Sequence, residues 1–422
     1  MTQARPGQKV VVLGAGMVGI ACALSLQQRG MAVSVVDPLG PGAATSHGNA
    51  GVLARSSLLP FNHPGLWSQL PGLLRGKNPG FRYSPRWMLD QWRWGLSFLG
   101  HARSSVFLET TTALDALIRH SGDVHHRRMT EAGVAHRRRD DGWLFLYRSE
   151  ATFEAAAAGR ETLARFGVRT RSLDADALHA LEPHLKPVFR RALWVQDASS
   201  VDSPAEVVRG YAAWLQTLGG TLRIDKAQRL TRDAPGWTVH TASGMALAAE
   251  HLVIALGPWS RDFLREQLDL RLPMGFERGQ HRHFRPANGA SLNRPVYDTA
   301  GGYVMAPMAQ GLRLTTGVEL NAQHAPPHRE QLEAAERAAR EAMPLGERTE
   351  EADWLGSRPT LPDCRPMIGA CPGRDGLWLA VGHQHIGFST GPGTGELLAQ
   401  LMLGEPTAVD PHPFRPQRFL CG

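Results

Sequence analysis

The chain has 422 residues, of which 42 % are hydrophobic and 20 % charged, with a formal net charge of +7. This composition is ordinary for a soluble globular protein of two domains or one large α/β unit, and it excludes a disordered chain. The excess charge could favour nucleic acid or acidic lipid headgroups. The densest basic stretch, residues 127–139, is interrupted by Glu131, followed by Asp140 and Asp141, and not interleaved with aromatic residues, so we interpret it as a solvated helix face.

The cysteines and the N-terminus indicate a reducing compartment. Cys22, Cys364, Cys371 and Cys421 show no CxxC spacing, and we expect free thiols. No charged segment followed by an apolar one precedes the first strand, and the longest apolar stretch, residues 10–26, is broken by three glycines. We expect a cytoplasmic protein, attached at most to the inner face of a membrane.

The first element is an apolar strand followed by the turn Gly14-Ala15-Gly16-Met17-Val18-Gly19 and a helix. In such a turn the first glycine permits the bend, the second admits a pyrophosphate to the backbone amides, and the third allows close packing of helix on strand. Asp37 ends the next strand, where an acid hydrogen-bonds a ribose hydroxyl and disfavours a 2′-phosphate. The pattern predicts a dinucleotide site; the alternatives are an accidental glycine-rich turn and a nicotinamide cofactor.

A long loop of small residues follows, from Pro38 to Gly51, with no apolar period. Such a loop can lie flat against a ligand. Residues 60–100 then carry several large aromatic side chains, among them Trp67, Trp87, Trp92, Trp94 and Phe98. They indicate either the core of a helical region or a contact with a membrane or an electron acceptor.

The rest of the chain alternates helices with strands. Helices are predicted around residues 114–118, over 151–166, from Pro204 to about 218, and over 330–342. Strands are predicted over 221–230, 237–241 and 251–256, the last closed by Gly257-Pro258-Trp259. Alternating segments at 280–284, 302–305 and 312–318 suggest an antiparallel sheet. A final strand at 378–382 precedes a glycine-rich loop and a helix from about Pro392.

Several motifs, taken in order, resemble one family. They are Ser46-His47-Gly48-Asn49-Ala50-Gly51, Asp202-Ser203-Pro204, Gly257-Pro258-Trp259-Ser260, Glu277-Arg278-Gly279-Gln280-His281, Arg358-Pro359-Thr360-Leu361-Pro362-Asp363 and Gly382-His383-Gln384-His385-Ile386-Gly387. With the first turn they resemble the D-amino-acid oxidase superfamily of FAD-dependent oxidoreductases over nearly the whole chain. The bacterial D-amino-acid dehydrogenases are the most similar branch.

The resemblance implies an α/β fold. A Rossmann-like FAD-binding domain would comprise residues 1–60, 193–262 and 350–422, and an interleaved α+β substrate domain on an antiparallel sheet would comprise 61–192 and 263–349. Non-covalent FAD is implied, because the linking cysteine of related sarcosine oxidases would fall near Gly356, whereas Cys364 lies beyond Pro362-Asp363. The implied FAD-binding residues are Gly14, Ala15, Gly16, Met17, Val18, Gly19, Asp37, Pro38, Ser46, His47, Asn49, Ala50, Gly51, Val52, Gly257, Trp259, Gly382 and Gly387.

The implied activity is oxidative deamination of a D-amino or cyclic imino acid, with hydride passing to the flavin and electrons onward to a quinone or another acceptor. The arginine that commonly follows the proline after Tyr303 is missing, because the chain has Pro307-Met308 there. Arg358 is the first replacement for it as a carboxylate clamp and Arg278 the second. The other candidate catalytic residues are His385, Tyr303, Gln280 and His281.

Two alternatives remain at this stage. One is an oxygen-using oxidase of glycine, sarcosine or another secondary amine. A second, of another class, is an RNA-modifying or RNA-binding flavoprotein, although we expect no nucleic-acid partner. The pairs His281/His283 and His383/His385 could hold a metal, but without a cysteine or carboxylate cluster we predict none.

Overall fold

The computed structural model describes residues 3–76, 78–233 and 236–420, so the predicted free thiol of Cys421 lies outside the described residues. The helices, in chain order, are α1 Met17–Gln27, α2 Leu66–Leu74, α3 Pro85–Asp90, α4 Trp92–Gly100, α5 Ser104–Glu131, α6 Glu150–Ala155, α7 Ala157–Arg165, α8 Ala175–Leu181, α9 Pro204–Thr217, α10 Ser260–Leu268, α11 Arg329–Ala342 and α12 Gly387–Leu403. Cys22, Cys364 and Cys371 are free and buried.

The strands alternate with these helices along the chain. They are β1 Lys9–Leu13, β2 Ala32–Asp37, β3 Val52–Ala54, β4 Phe81–Tyr83, β5 Arg138–Arg139, β6 Trp143–Tyr147, β7 Thr170–Asp174, β8 Arg191–Val195, β9 Ala198–Val201, β10 Thr221–Ile224, β11 Ala227–Asp233, β12 Gly236–Thr241, β13 Ala246–Ala249, β14 His251–Ile254, β15 Gly275–Pro286, β16 Val296–Asp298, β17 Tyr303–Met308, β18 Gly311–Thr316, β19 Val318–Leu320, β20 Leu345–Arg348, β21 Trp354–Thr360, β22 Met367–Ala370 and β23 Leu377–Val381.

The first sheet has the strand order β10-β2-β1-β14-β23-β22. Its strands run parallel except β22, which is antiparallel to β23. Apart from Lys9 and His251, strands β1, β14 and β23 consist of apolar residues, and side chains of both faces are buried in hydrophobic clusters. Helices α1 and α12 pack against each other, so segments near the two ends of the chain share one core.

The second large sheet is mainly antiparallel and is organised around the long strand β15. Strands β18, β19, β20 and β21 all pair with β15. Residues 275–284 of β15 are all buried. Side chains alternate across a strand, so Arg278, Gln280 and Arg282 contact the segment 322–336, whereas Glu277 and Gly279 line a cavity on the other face.

The chain therefore has the predicted α/β class, with mixed sheets, but the segments differ in places from the predictions. Strand β21 belongs to the antiparallel sheet, although residues 350–422 are predicted for the FAD domain. Helix α5 shares the core of α1 and α12, although 61–192 is predicted for the substrate domain. Residues 151–166 form two helices, and α12 begins at Gly387 with Pro392 inside it.

The basic stretch 127–139 is only partly a solvated face. Arg127 is exposed and pairs with Glu396, but Arg128 is fully buried and donates to Ser25 Oγ at 2.6 Å. Arg128 lies on the buried side of α5. The density of charged residues in the sequence does not show which of them face the core. Among the described residues, no helix is both long and apolar enough to cross a bilayer.

Candidate functional site

The glycine turn after β1 is built by close backbone contacts. A Cβ on Gly14, whose φ is +107°, would lie 2.4 Å from the carbonyl oxygen of Ala255, and a Cβ on Gly19 would lie 1.9 Å from that of Gly14. At Gly16 a Cβ would meet only Ser46 Oγ, at 3.3 Å. Gly14 and Gly19 therefore serve the fold, whereas Gly16 keeps the backbone open toward the cavity that it lines.

Helix α1 directs its first amides to the same place. The Met17 amide donates to Ser46 Oγ at 3.0 Å, and Met17, Val18 and Ser46 line the cavity. Free amides at a helix N-terminus stabilise a phosphate. At the end of β2, Asp37 accepts hydrogen bonds from the amides of Ala15, at 2.9 Å, and Leu39, at 2.8 Å.

The buried side chain of Arg313 holds the loop that contains His47 in place. The guanidinium of Arg313, on β18, donates to the carbonyl oxygens of His47, at 2.8 Å, and Asn49. Burial lowers the pKa of Arg313 to about 10, so it stays charged at neutral pH. Gly51 has φ +73° and donates to Asn49 Oδ1 at 2.8 Å. Sequence reasoning missed Arg313, although an arginine between apolar neighbours of a strand was a signal.

A second loop, residues 382–387, leads from β23 to α12. Gly382 has φ +80°. Gln384 has φ +49° without being glycine, and its Nε2 is buried with no hydrogen-bond partner among the described residues. Such a strained, unsatisfied residue is typical of a ligand contact. Gly387 begins α12, whose first residues also line the cavity.

The two loops meet across one cavity of about 1390 Å³. It is lined by Gly16, Asp37 and Asn49 from the first part of the chain and by Gly387 from the last. Of the predicted FAD-binding residues, Gly14, Pro38, Ala50, Val52, Gly257 and Trp259 also line it. The cavity lining does not include Ala15, Gly19, His47, Gly51 and Gly382, which belong to the backbone of the turn and the two loops.

Strand β21 joins the second loop to the antiparallel sheet. Thr360 forms a β-bridge with His383, and the Gln384 amide donates to the carbonyl oxygen of Pro359 at 2.9 Å. These contacts place Arg358 beside the loop. Its Nη1 donates to the carbonyl oxygen of Gly317 at 3.1 Å, and the side chain lines the cavity. Gly279, on the neighbouring strand β15, leaves space for the guanidinium of Arg358. A Cβ at Gly279 would fill that space.

His385 is the second predicted catalytic residue that lines the cavity. Its ring stacks on Phe61 with the centroids 4.8 Å apart, and its Nδ1 has no partner among the described residues. Burial, together with the charge of Arg358, lowers the pKa of His385 to about 3, so the ring is neutral at physiological pH.

The structure places the other catalytic candidates away from the cavity lining. Tyr303 is buried in a hydrophobic cluster of the antiparallel sheet, Gln280 donates to the carbonyl oxygen of His328, and Arg278 donates to those of Ala322 and Pro326. His281 stacks on Trp354 with ring centroids 4.8 Å apart. We therefore correct their assignment to the substrate, because strand alternation turns Arg278 and Gln280 to the opposite face and Trp354 covers His281.

His281, His283 and Glu350 bring possible metal-ligand atoms within 4.8 Å of one another. However, Arg313 donates to His283 Nε2 at 2.9 Å, and His283 Nδ1 lies 3.4 Å from Glu350. Both nitrogens of His283 thus have partners, and the guanidinium repels a further cation. We make no metal proposal from this cluster.

The cavity has the features that a flavin dinucleotide requires. A glycine turn and a helix N-terminus fit the pyrophosphate, Asp37 lies where a ribose is bound, and a second glycine-rich loop with unsatisfied Gln384 faces the far end. This arrangement defines a flavin-dependent oxidoreductase.

Residues 9–401 match the family described as FAD dependent oxidoreductase, DAO, and the chain belongs to that family. It is 31 % identical to a D-amino acid dehydrogenase of Paramagnetospirillum magneticum, over 95 % of this chain and 96 % of that protein. It is 28 % identical to a D-amino-acid oxidase of Bradyrhizobium diazoefficiens, over 98 % and 99 %. The structure of L-proline dehydrogenase from P. horikoshii superposes with a TM-score of 0.75 at 18 % identity, covering 99 % of this chain and 98 % of that one, which shows the shared fold.

The protein is accordingly an FAD-dependent amino-acid oxidoreductase. Bound FAD supplies the acceptor for a hydride. The N-terminus of α1 would hold its pyrophosphate, Arg313 fixes the first loop, and Arg358 and His385 line the other end of the cavity.

Proposed function

We propose that the protein oxidises a D-amino acid or a cyclic imino acid at the carbon that carries the nitrogen and the carboxylate. The position of Arg358 carries this proposal: a guanidinium lines the cavity beside the second loop and bonds one carbonyl oxygen, which leaves further donors for a substrate carboxylate. Burial lowers its pKa, yet an arginine stays protonated at any physiological pH.

In this mechanism Arg358 holds the carboxylate and fixes the α-carbon, while the neighbouring walls exclude water. Phe61, Phe145, Tyr297 and Val304 line the cavity and supply an apolar surface for the substrate side chain. The α-hydrogen would leave as hydride, for which bound FAD would be the acceptor, and the resulting iminium ion would be hydrolysed to a 2-oxo acid and an amine or ammonia. The lining favours an apolar side chain over a charged one.

The test is anaerobic bleaching of the yellow holoprotein by a panel of D-, L-, cyclic and N-methyl amino acids. We expect reduction by D or cyclic substrates with apolar side chains. Reduction only by glycine or sarcosine would support the alternative of a secondary-amine oxidase, and reduction by L-amino acids alone would overturn the assigned stereochemistry.

We further propose that electrons leave to a quinone or another acceptor rather than to oxygen, at the inner face of a membrane. An apolar entrance face, defined here as Trp67, Leu74, Leu89, Trp92 and Leu96, is exposed to solvent, with Leu89 75 % and Leu96 61 % exposed. Leu74, Trp92 and Leu96 line the cavity as well, so one apolar path joins this face to the interior.

The aromatic residues of 60–100 differ in burial. Trp87 and Trp94 are buried against Leu320, whereas Trp67 and Trp92 are each 53 % exposed. Arg75, Arg86 and Arg93 lie in the same segments and are exposed, and Arg93 lies over the ring of Trp92. Exposed apolar and cationic side chains together favour an anionic bilayer.

Vesicles with and without anionic lipid test the membrane proposal. We expect the holoprotein to sediment with anionic vesicles and Trp67→Ser/Leu89→Ser, two exposed residues outside the cavity lining, to remain in solution with its activity toward a soluble dye unchanged. Oxygen uptake measured beside the reduction of a short-chain quinone separates dehydrogenase from oxidase; faster transfer to oxygen than to quinone would refute the proposed acceptor.

A further inference from the structure

Glu277 is a buried carboxylate in the cavity that sequence reasoning did not select. Its side chain is 2 % exposed, and Oε2 has no hydrogen-bond partner among the described residues. Burying an unpaired carboxylate costs several kcal/mol in general. A position with that cost, inside a substrate cavity, indicates a role with a ligand.

The fold sets Glu277 directly opposite Arg358. The two residues are cross-strand partners in the β15/β21 pair, and both line the cavity. The guanidinium is bonded to the carbonyl oxygen of Gly317, so its remaining donors and the Glu277 carboxylate face a common space. An amino acid carries its ammonium and carboxylate on neighbouring atoms, and this pair of opposite charges is complementary to both.

The surroundings of Glu277 keep its proton affinity high. Burial raises the pKa of Glu277 to about 7, although the charge of Arg358 on β21 acts in the other direction. The buried thiol of Cys364, in the turn after β21, faces it in the neutral form, because burial and the charge of Glu277 raise the pKa of that thiol. On β19, which pairs with β15 on the other side, the partner is the apolar Leu320.

We infer that Glu277 is the base that takes a proton from the substrate's ammonium group while Arg358 holds the carboxylate. This inference rests on the proposed function. One N–H bond breaks, its electron pair stays on nitrogen, and the proton forms an O–H bond on Glu277. The free amine's lone pair then forms the C=N bond as the α-hydrogen departs with its two electrons, for which bound FAD would be the acceptor, and the product is an iminium ion that water hydrolyses.

Other titratable groups at the cavity are less suited to this step. Burial lowers the pKa of His385 to about 3, so its ring is a weak base at neutral pH. Asp37 lies at the nucleotide end, where backbone amides already occupy its carboxylate. Glu277 combines a position beside the carboxylate clamp with a proton affinity near neutrality.

The test compares Glu277→Gln with the wild-type holoprotein in anaerobic rapid mixing, using the best substrate of the panel. At pH 7 we expect flavin reduction to be roughly 100-fold slower in the variant, the usual scale of a lost general base. The deficit should shrink toward pH 10, where the amine loses its proton in solution. Glu319→Gln is the matched control, because Glu319 is a buried carboxylate beside Arg278 on the opposite face of the same sheet.

A second readout separates a base from a positioning role. Propionate, which has a carboxylate and no amine, should perturb the flavin spectrum of Glu277→Gln with equal or higher affinity than in wild type. Weaker propionate binding together with a deficit that is the same at every pH would show that Glu277 only positions Arg358, and the inference would fail.

The remaining outcomes are also decisive. If the flavin of Glu277→Gln is reduced at the wild-type rate at pH 7, the inference is overturned and the proposed function is unaffected. A wild-type flavin that no amino acid bleaches overturns the proposed function itself. If Glu277→Gln fails to retain FAD, the pH dependence of the wild-type rate of flavin reduction decides. A rise in that rate centred near pH 7 supports the inference, and a rise only at the pKa of the substrate amine refutes it.

Discussion

The nucleotide end of the cavity and its sheet end differ in the groups that they present to a ligand. The nucleotide end presents backbone: the turn at Gly16, the first amides of α1 and a loop held by its carbonyl oxygens. The sheet end presents the side chains of Arg358, Glu277 and His385. A site that binds a ligand through backbone groups needs open space and therefore small residues. A site that binds through side chains needs particular residues, which here come from strands that are distant in sequence.

The largest effect should come from removing the space at the nucleotide end. Gly16→Val places a branched side chain where the pyrophosphate meets the amides, and losing two charge-assisted hydrogen bonds weakens FAD binding by roughly 100-fold or more. Flavin content after gel filtration measures this. The control is Gly122→Val on α5, where a Cβ meets nothing within 4 Å. A Gly16→Val preparation with full flavin would show that backbone access does not govern this end.

The next effect tests the side-chain end. Arg358→Met should leave FAD bound and raise the substrate KM by roughly 10- to 150-fold, since a hydrogen bond to a charged group contributes about 1.5–3 kcal/mol. Arg278→Met is the comparison: that arginine holds the carbonyl oxygens of Ala322 and Pro326, so we expect a lower Tm and an unchanged KM. The opposite pattern would move the carboxylate clamp to Arg278.

Arg313 connects the two ends, and its substitution should have an intermediate effect. Arg313→Met removes the donors to the carbonyl oxygens of His47 and Asn49, and we expect FAD affinity to fall by roughly 10-fold, on the scale of one or two hydrogen bonds. Fluorescence titration of the apoprotein measures it. Arg313→Lys should recover part of the affinity; equal loss in both variants would indicate that geometry, not charge, holds the loop.

The smallest effect concerns stability. Because the pKa of Glu277 is raised to about 7, the folded protein holds this proton more tightly than the unfolded chain, and stability falls as pH rises from about 4.5 through 7. Glutamine stays neutral, so Glu277→Gln should raise the Tm of the apoprotein by about 2–4 °C at pH 8 and leave it unchanged at pH 4. A lower Tm at pH 8 would mean that Arg358 depends on the carboxylate for its place.

The same contrast explains how much the sequence could predict. The glycine turn, Asp37 and the loops are local patterns with fixed spacing, and the family and cofactor follow from them. The pairing of Glu277 with Arg358 joins β15 to β21 across 80 residues and has no local signature. The sequence does not show which face of the sheet Tyr303 occupies, because an aromatic residue on a strand suits either face. The neighbours that bury it come from distant elements.

The order in which the chain is synthesised has a consequence for cofactor loading. Gly16 emerges from the ribosome well before Gly387 and α12, which complete the cavity and cover α1. Domains generally fold in units as they emerge, and here α1 lacks its partner helix until some 370 residues later, on the order of most of this sequence. A nascent chain therefore exposes the apolar surface of α1 until α12 has been synthesised, and the FAD cavity is complete only after that point.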